Sequence, residues 1–237
     1  MDYDVVYFVK DCTENPELTY SLRSVCKNFP YRRVYIYGTQ PKDIQVDKYY
    51  HVNQMGWTKW DKVQSMLEMA CLNNHMTDYI WVFNDDFYVT KPVTEYDYYS
   101  NGRIINMCKS LEKKYGHKTS YSTMLEYQYQ TLKKHKYPTN SYTTHTPLLI
   151  KREYLIECMR VFSGVRGYRN LYVNYVDKKY GLPYPVLVDK DIKVRGSKEE
   201  IESDWPFLSS SDTSFMTNKN LHDFLTSNFN EKCKYEK

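Results

Sequence analysis

Apolar positions along the first 92 residues switch between two periods. Val5-Val6-Tyr7-Phe8-Val9 is an unbroken apolar run, short enough for a buried strand. Asn15-Pro16 has the form of a helix N-cap with proline at the first helical position. Leu18, Leu22, Val25, Cys26 and Phe29 then recur at helical spacing until Pro30 closes the segment. Val34-Tyr35-Ile36-Tyr37 predicts a second strand stopped by Gly38, and Tyr49-Tyr50-His51-Val52 a short third. Thr58 and Asp61 have capping-box spacing, with Asp where Glu is usual, ahead of a helix whose apolar face carries Val63, Leu67, Ala70 and Cys71. Tyr79-Ile80-Trp81-Val82-Phe83 is a strong strand pattern and runs directly into Asn84-Asp85-Asp86.

Beyond residue 92 the pattern is mainly helical. Helices are predicted around Ile104 to Tyr115 (closed by Gly116), over residues 119–135, from Leu155 to Phe162, from Tyr172 to Tyr180, and over 217–228. Short strands are expected at 148–150, 186–188 and 192–194, and the lysine-rich end is expected to fray.

The β-α-β-β-α-β order of the first part predicts an α/β fold of Rossmann type. A mostly parallel sheet is flanked by helices, with a more helical C-terminal half, in one domain over residues 1–237. Ligands of such sheets bind outside the carboxyl ends of the strands. Asp11 follows the first strand and Asn84-Asp85-Asp86 the fourth, so both belong to that edge.

Composition narrows the classes. With 41% hydrophobic and 26% charged residues, 237 residues can build a sizeable core. The net charge of +4 neither demands nor excludes a polyanionic partner. No run nears the roughly 18 apolar residues of a membrane helix, and the start of the chain lacks the form of an export signal. The expectation is a soluble, cytoplasmic protein without membrane insertion. Six cysteines without a C-x-x-C pair predict buried free thiols in a reducing compartment rather than zinc or a disulfide framework. Tyrosine is abundant, but so are Lys and Asn, which points to AT-rich coding rather than to base stacking.

Asn84-Asp85-Asp86 carries the chemistry. Adjacent carboxylates at the end of a buried strand repel each other and lose hydration. A hard divalent cation, Mn²⁺ or Mg²⁺, relieves both costs. The alternative is a solvated turn whose acids cap the next segment. No Gly-x-Ser-x-Gly elbow, P-loop or Gly-x-Gly-x-x-Gly follows a strand.

The Asn-Asp-Asp triplet after a hydrophobic strand resembles the D-x-D site of metal-dependent GT-A glycosyltransferases. Four blocks also resemble the Stealth sugar-phosphate transferases. These are Asp4-Val5-Val6-Tyr7 with Leu18-Thr19-Tyr20-Ser21-Leu22-Arg23-Ser24; the segment from Tyr79 to Asp86; His145-Thr146-Pro147 with Ile150 and Arg152; and an arginine segment matched by Arg166 and Arg169. The first block continues Phe8-Val9-Lys10-Asp11 where that group has a Trp-Val-Asp run.

This resemblance implies a GT-A-like glycosyltransferase with a nucleotide-binding half over 1–92 and an acceptor half over 93–237. It would use a nucleotide-diphosphate sugar, by family a UDP-sugar. Asp86 would hold Mn²⁺ or Mg²⁺, Asp85 would assist, and His145 would be a further ligand to metal or phosphate. Asp11 would read the nucleoside, and Arg23, Lys62, Arg166 and Arg169 the diphosphate, with Lys59 beside Lys62. Asp204 and Asp212 are the acids to consider as acceptor base. The acceptor would be a hydroxymethylated base of phage DNA or a surface polysaccharide. Sugar-phosphate transfer and a non-catalytic carbohydrate- or nucleic-acid-binding module are the rival readings.

Overall fold

The computed structural model describes residues 3–54, 58–184, 186–188, 192–201 and 205–237. Its centre is a sheet of β1 (Asp4–Val9), β2 (Arg33–Gly38), β3 (Lys48–His51), β4 (Tyr79–Phe83) and β7 (Leu148–Lys151), ordered β3-β2-β1-β4-β7. The first four strands run parallel; β7 is antiparallel to β4, with Leu148 opposite Val82. The expected mixed α/β fold with a mostly parallel, helix-flanked sheet is therefore present.

Side-chain alternation divides the core. Val5, Tyr7, Val34, Ile36, Trp81 and Phe83 pack with Leu18, Leu22 and Val25 of α1 (Pro16–Asn28) on one face. Val6, Tyr35, Tyr37, Ile80 and Val82 face α2 (Lys59–Cys71), α5 (Arg152–Val161) and α6 (Tyr168–Tyr180) on the other. Both predicted caps form: Asn15 Oδ1 accepts from the Leu18 amide, and Thr58 and Asp61 close a capping box.

The remaining elements are β5 (Phe87–Val89), β6 (Tyr98–Ser100), α3 (Ile104–Tyr115), α4 (Ser120–Lys134), β8 (Val186–Val188), β9 (Lys193–Val194), β10 (Phe207–Ser210), α7 (Asp212–Thr217) and α8 (Lys219–Asn228). β10 is antiparallel to β5 and parallel to β9, forming a small sheet beside the carboxyl edge, while β6 pairs with β8. The pattern of the sequence did not predict β5, β6 or β10. These three- and four-residue strands are too short for a period to show, and their residues are buried throughout.

Two expectations need correction. The C-terminal lysine-rich segment is docked, not frayed. The Gln45 amide donates to the Tyr235 carbonyl at 2.8 Å, Tyr235 Oη donates to Asp47 at 2.5 Å, and Tyr235 is buried. The cysteines are free, but only Cys71, Cys108 and Cys158 are fully buried; Cys12, Cys26 and Cys233 are half-buried.

Candidate active site

The carboxyl edge of the parallel strands gathers an acidic cluster. Phe83 ends β4, and the turn to β5 holds Asp85 and Asp86 beside the N-terminus of α1. Asn15, the cap of that helix, donates through Nδ2 to Asp85 Oδ2 at 2.7 Å. β10 holds the other side: the Ser210 amide donates to the Asp86 carbonyl at 3.2 Å, and Ser209 Oγ to Asp86 Oδ2 at 3.2 Å. Lys193 on β9 reaches the same Oδ2 at 2.9 Å, an ion pair whose side chains are 17% and 14% exposed. Asp86 Oδ1 is buried and has no hydrogen-bond partner among the described residues.

Glu17, in the first turn of α1, is the third acid of this cluster. Ser210 Oγ donates to it at 2.9 Å and shares a 2.9 Å contact with Tyr88 Oη. Burial and the nearby Asp85, Asp86 and Asp212 push Glu17 up to about 7, despite the Ser210 bond. Burial and Asp86 likewise raise Asp85, against the opposing pull of Asn15 and Lys10. A helix N-terminus favours anions, yet burial first and then the neighbouring acids outweigh it at Glu17 and Asp85.

Asp212 stands at the rim as the first residue of α7, 86% exposed and 3.7 Å from Lys10. Asp204 lies outside the described residues. Asp11 is exposed at the end of β1, accepting from Thr39 Oγ1 at 2.6 Å and from Gln54 Nε2 at 3.4 Å. Gly38 permits the close approach there, for a Cβ on it would collide with the Val9 carbonyl oxygen.

His145 comes to this edge because β7 is antiparallel, so its preceding loop ends beside Phe83. Arg169 holds that loop, donating to the carbonyls of Thr144 at 3.3 Å and Thr146 at 2.6 Å, with its guanidinium over Phe87. Arg166 pairs with Asp61 at 3.0 Å in the first turn of α2, where Lys62 also stands. Arg166 and Asp61 line a cavity of about 380 Å³ between α2, α5 and the α5–α6 turn; Asp85 and Asp86 do not.

The structure takes Arg23 away from the site. Its guanidinium grips both carboxylate oxygens of Glu236, at 2.7 and 2.6 Å, and the Phe229 carbonyl at 2.9 Å. In place of a diphosphate it holds the C-terminal segment. Its block has a structural account throughout: Ser21 Oγ donates to the Phe87 carbonyl, and Ser24 Oγ accepts from the Val89 amide, tying α1 to β5. Arg152 is committed as well, donating to the carbonyls of Cys71, Asn73, Met76 and Thr77 at the end of α2.

A divalent cation is tested by the donor set. The orphaned Asp86 Oδ1 and the raised Asp85 fit one, since both need positive charge. The other Asp86 oxygen is already neutralised by Lys193. His145 does not complete a set with these acids: among the described residues no group of three His, Cys, Asp or Glu is arranged to hold a metal ion. Any cation here would therefore take its remaining ligands from a bound molecule or water.

Sequence reasoning missed Glu17 and Lys193. The signal for Glu17 was its place one turn into a helix entered from β1. For Lys193 it was a charge between the apolar residues Ile192 and Val194.

No protein-family model matches the chain, and no curated protein gives a match. Two crystal structures of the glycosyltransferase GlyE from Streptococcus pneumoniae TIGR4, one in its apo form, are similar to it. They share 12% and 11% identity, cover 79% and 78% of this chain, and have TM-scores of 0.37 and 0.36. The chain spans 45% of the length of each. These likenesses are too distant to carry chemistry from those proteins to this one. Among the described residues no helix is long and apolar enough to cross a membrane.

Proposed function

We propose that the chain is a glycosyltransferase that moves a sugar from a nucleotide-diphosphate sugar, with a UDP-sugar as the expected donor, to an acceptor hydroxyl. One observation supports this most: Asp86 stands at the carboxyl edge of a parallel sheet with a buried Oδ1 that has no partner among the described residues, next to two acids of raised proton affinity. Strand carboxyl edges are where sheets of this kind take nucleotides. A solvated capping turn would leave no acid oxygen both buried and unpaired.

Asp85 and Asp86 would hold Mn²⁺ or Mg²⁺, which when bound supplies Lewis-acid stabilisation of a leaving diphosphate. Asp11 and its partners Thr39 and Gln54 offer polar contacts to a nucleoside. Lys62 and Arg166, at the N-terminal turn of α2, would meet phosphate oxygens. Lys193 fixes the Asp86 carboxylate. Asp212, exposed on the rim, is the carboxylate that an acceptor hydroxyl would meet first, and is proposed as its base. The acceptor classes to test are hydroxymethylated DNA and surface polysaccharide.

A screen of nucleotide sugars with Mn²⁺, reading the nucleotide released, tests this directly. Metal-dependent release of UDP is expected, and loss of that release in Asp86→Asn. Release of UMP would instead mean sugar-phosphate transfer. No turnover and no Mn²⁺-dependent binding of any donor would overturn the reading.

A further inference from the structure

The half-buried thiols of Cys26 and Cys233 lie outside the carboxylate cluster, and the proposed chemistry uses neither. Cys26 is on α1, one turn beyond Arg23, so the two share a helix face. Cys233 and Glu236 are three residues apart in a C-terminal turn closed by the Glu236 amide donating to the Cys233 carbonyl at 3.1 Å. Arg23 on one face meets Glu236 on the other, and Cys26 and Cys233, each three residues along, come to the same junction. Glu236 Oε1 accepts from Arg23 Nε at 2.7 Å and from the Cys233 amide at 2.9 Å, which fixes the backbone of Cys233 beside α1. The two thiols pack against the same core cluster, close enough for each to shift the titration of the other. Tyr31 Oη lies 3.2 Å from Cys26 Sγ, and its ring packs on Tyr235.

We propose that Cys26 and Cys233 are a reversible redox pair, which hydrogen peroxide oxidises to a disulfide that fastens the C-terminal segment to α1. Cys26 is the attacking thiolate. The hydrogen bond from Cys233 pulls its thiol down to about 7 against burial, with help from Tyr31 and Lys234. Cys233 is pushed up by that same bond and by burial, so it keeps its proton. The Cys26 thiolate attacks one peroxide oxygen, the O–O bond breaks, and a sulfenic acid and water form once the departing hydroxide is protonated. The Cys233 sulfur then attacks the sulfenic sulfur, the S–O bond breaks, and its thiol proton leaves with the hydroxyl as a second water. Two thiols and one peroxide become one disulfide and two waters, and a dithiol reductant reverses the change. The closed loop takes in most of the chain, so the oxidised form gains the chain-entropy benefit of a long loop.

The test uses the full chain, treated folded with hydrogen peroxide and mapped by mass spectrometry without reduction. The expected result is loss of two of the six titratable thiols, a single Cys26–Cys233 peptide, and a Tm higher by roughly 5 °C that dithiothreitol removes. Cys233→Ser should leave Cys26 as a sulfenic acid trappable by dimedone, with no rise in Tm. Cys26→Ser should leave Cys233 unreacted at the same dose. Should either variant fold poorly, labelling wild-type protein with iodoacetamide at pH 7 decides independently. Cys26 should react first of the six thiols. A different intramolecular pair, a purely intermolecular disulfide, or slow labelling of Cys26 would overturn the proposal.

Discussion

Helix α1 carries a glutamate at its start and grips another near its end, and the protein treats the two in opposite ways. Glu236 meets Arg23, and the pair is nearly closed to solvent, at 16% and 8% exposure. Burial alone would raise the Glu236 carboxyl, yet Arg23 and the Cys233 amide bring it below its usual range. Glu17 sits at the favourable N-terminus of the same helix and is nonetheless pushed up to about 7 by burial and by Asp85, Asp86 and Asp212. A structural charge arrives with its partner. A charge in the cluster at the strand edge is left short of one. The contrast separates two residues that the linear pattern cannot: Arg23, in a motif, holds the fold together, while Glu17, in none, belongs to the cluster.

The largest effect expected is from Arg23→Ala. It leaves Glu236 buried without a counter-charge and strips the Phe229 carbonyl of its donor. Losing one partner of a buried pair costs about 3 kcal/mol, so urea melts should show a clear fall in midpoint. Donor affinity of the folded fraction should be unchanged. If titration calorimetry finds weakened donor binding with intact stability, the phosphate role of Arg23 is restored and the contrast drawn along α1 fails.

Arg23 also shows what could be read in the sequence and what could not. The parallel sheet, both N-caps and the shared edge of Asp11 and Asp85 were legible, because strand period, caps and crossover order are local or follow from chain order. The partners Glu236 and Lys193 were not. They lie 213 and 107 residues from Arg23 and Asp86, and only tertiary packing brings them there. A guanidinium on a helix reads the same whether it will meet a phosphate or a distant carboxylate.

Lys193→Met comes next. It removes the ammonium from Asp86 and leaves a mostly buried acid whose one remaining side-chain partner among the described residues is Ser209. A loss of about 2 kcal/mol at pH 7 is expected, from an uncompensated buried charge. Adding Asp86→Asn should recover much of it, a coupling that a double-mutant cycle measures. Mn²⁺ should raise the Tm of Lys193→Met more than that of wild type if a cation can take the place of the ammonium. Equal shifts would mean that Lys193 and a cation do not compete at Asp86.

Glu17→Gln should act with the opposite sign. Because the folded protein holds the Glu17 proton up to about 7 while the unfolded chain releases it near the ordinary carboxylate value, Glu17 favours folding at low pH. That contribution is lost as pH rises from about 4.5 through about 7. Melts of the variant should therefore match wild type near pH 4.5 and exceed it at pH 8. The gain should be no more than about 1 kcal/mol, since solvent screens a partly exposed carboxylate. Glu236→Gln should show the reverse slope, losing stability above pH 5, where the ion pair is intact. Parallel pH curves for the two variants would remove the distinction between the charges.

The smallest effect on stability, and a large one on activity, is expected at Asp212. It is 86% exposed, and its pair with Lys10 is 3.7 Å long and open to water. Exposed pairs of that kind contribute little, and its place in the first turn of α7 adds at most a few tenths of a kcal/mol through the helix end. Asp212→Asn should therefore melt within about 0.5 kcal/mol of wild type. If it deprotonates the acceptor hydroxyl, transfer should fall by a factor of about 10² to 10⁴ while donor affinity holds. Slow donor hydrolysis, in which water takes the place of the acceptor, should fall by a similar factor if water needs the same base. Should Asp212→Asn transfer sugar at the wild-type rate, the base lies elsewhere. Glu17 would then be the group to substitute next, because its proton affinity is already matched to neutral pH.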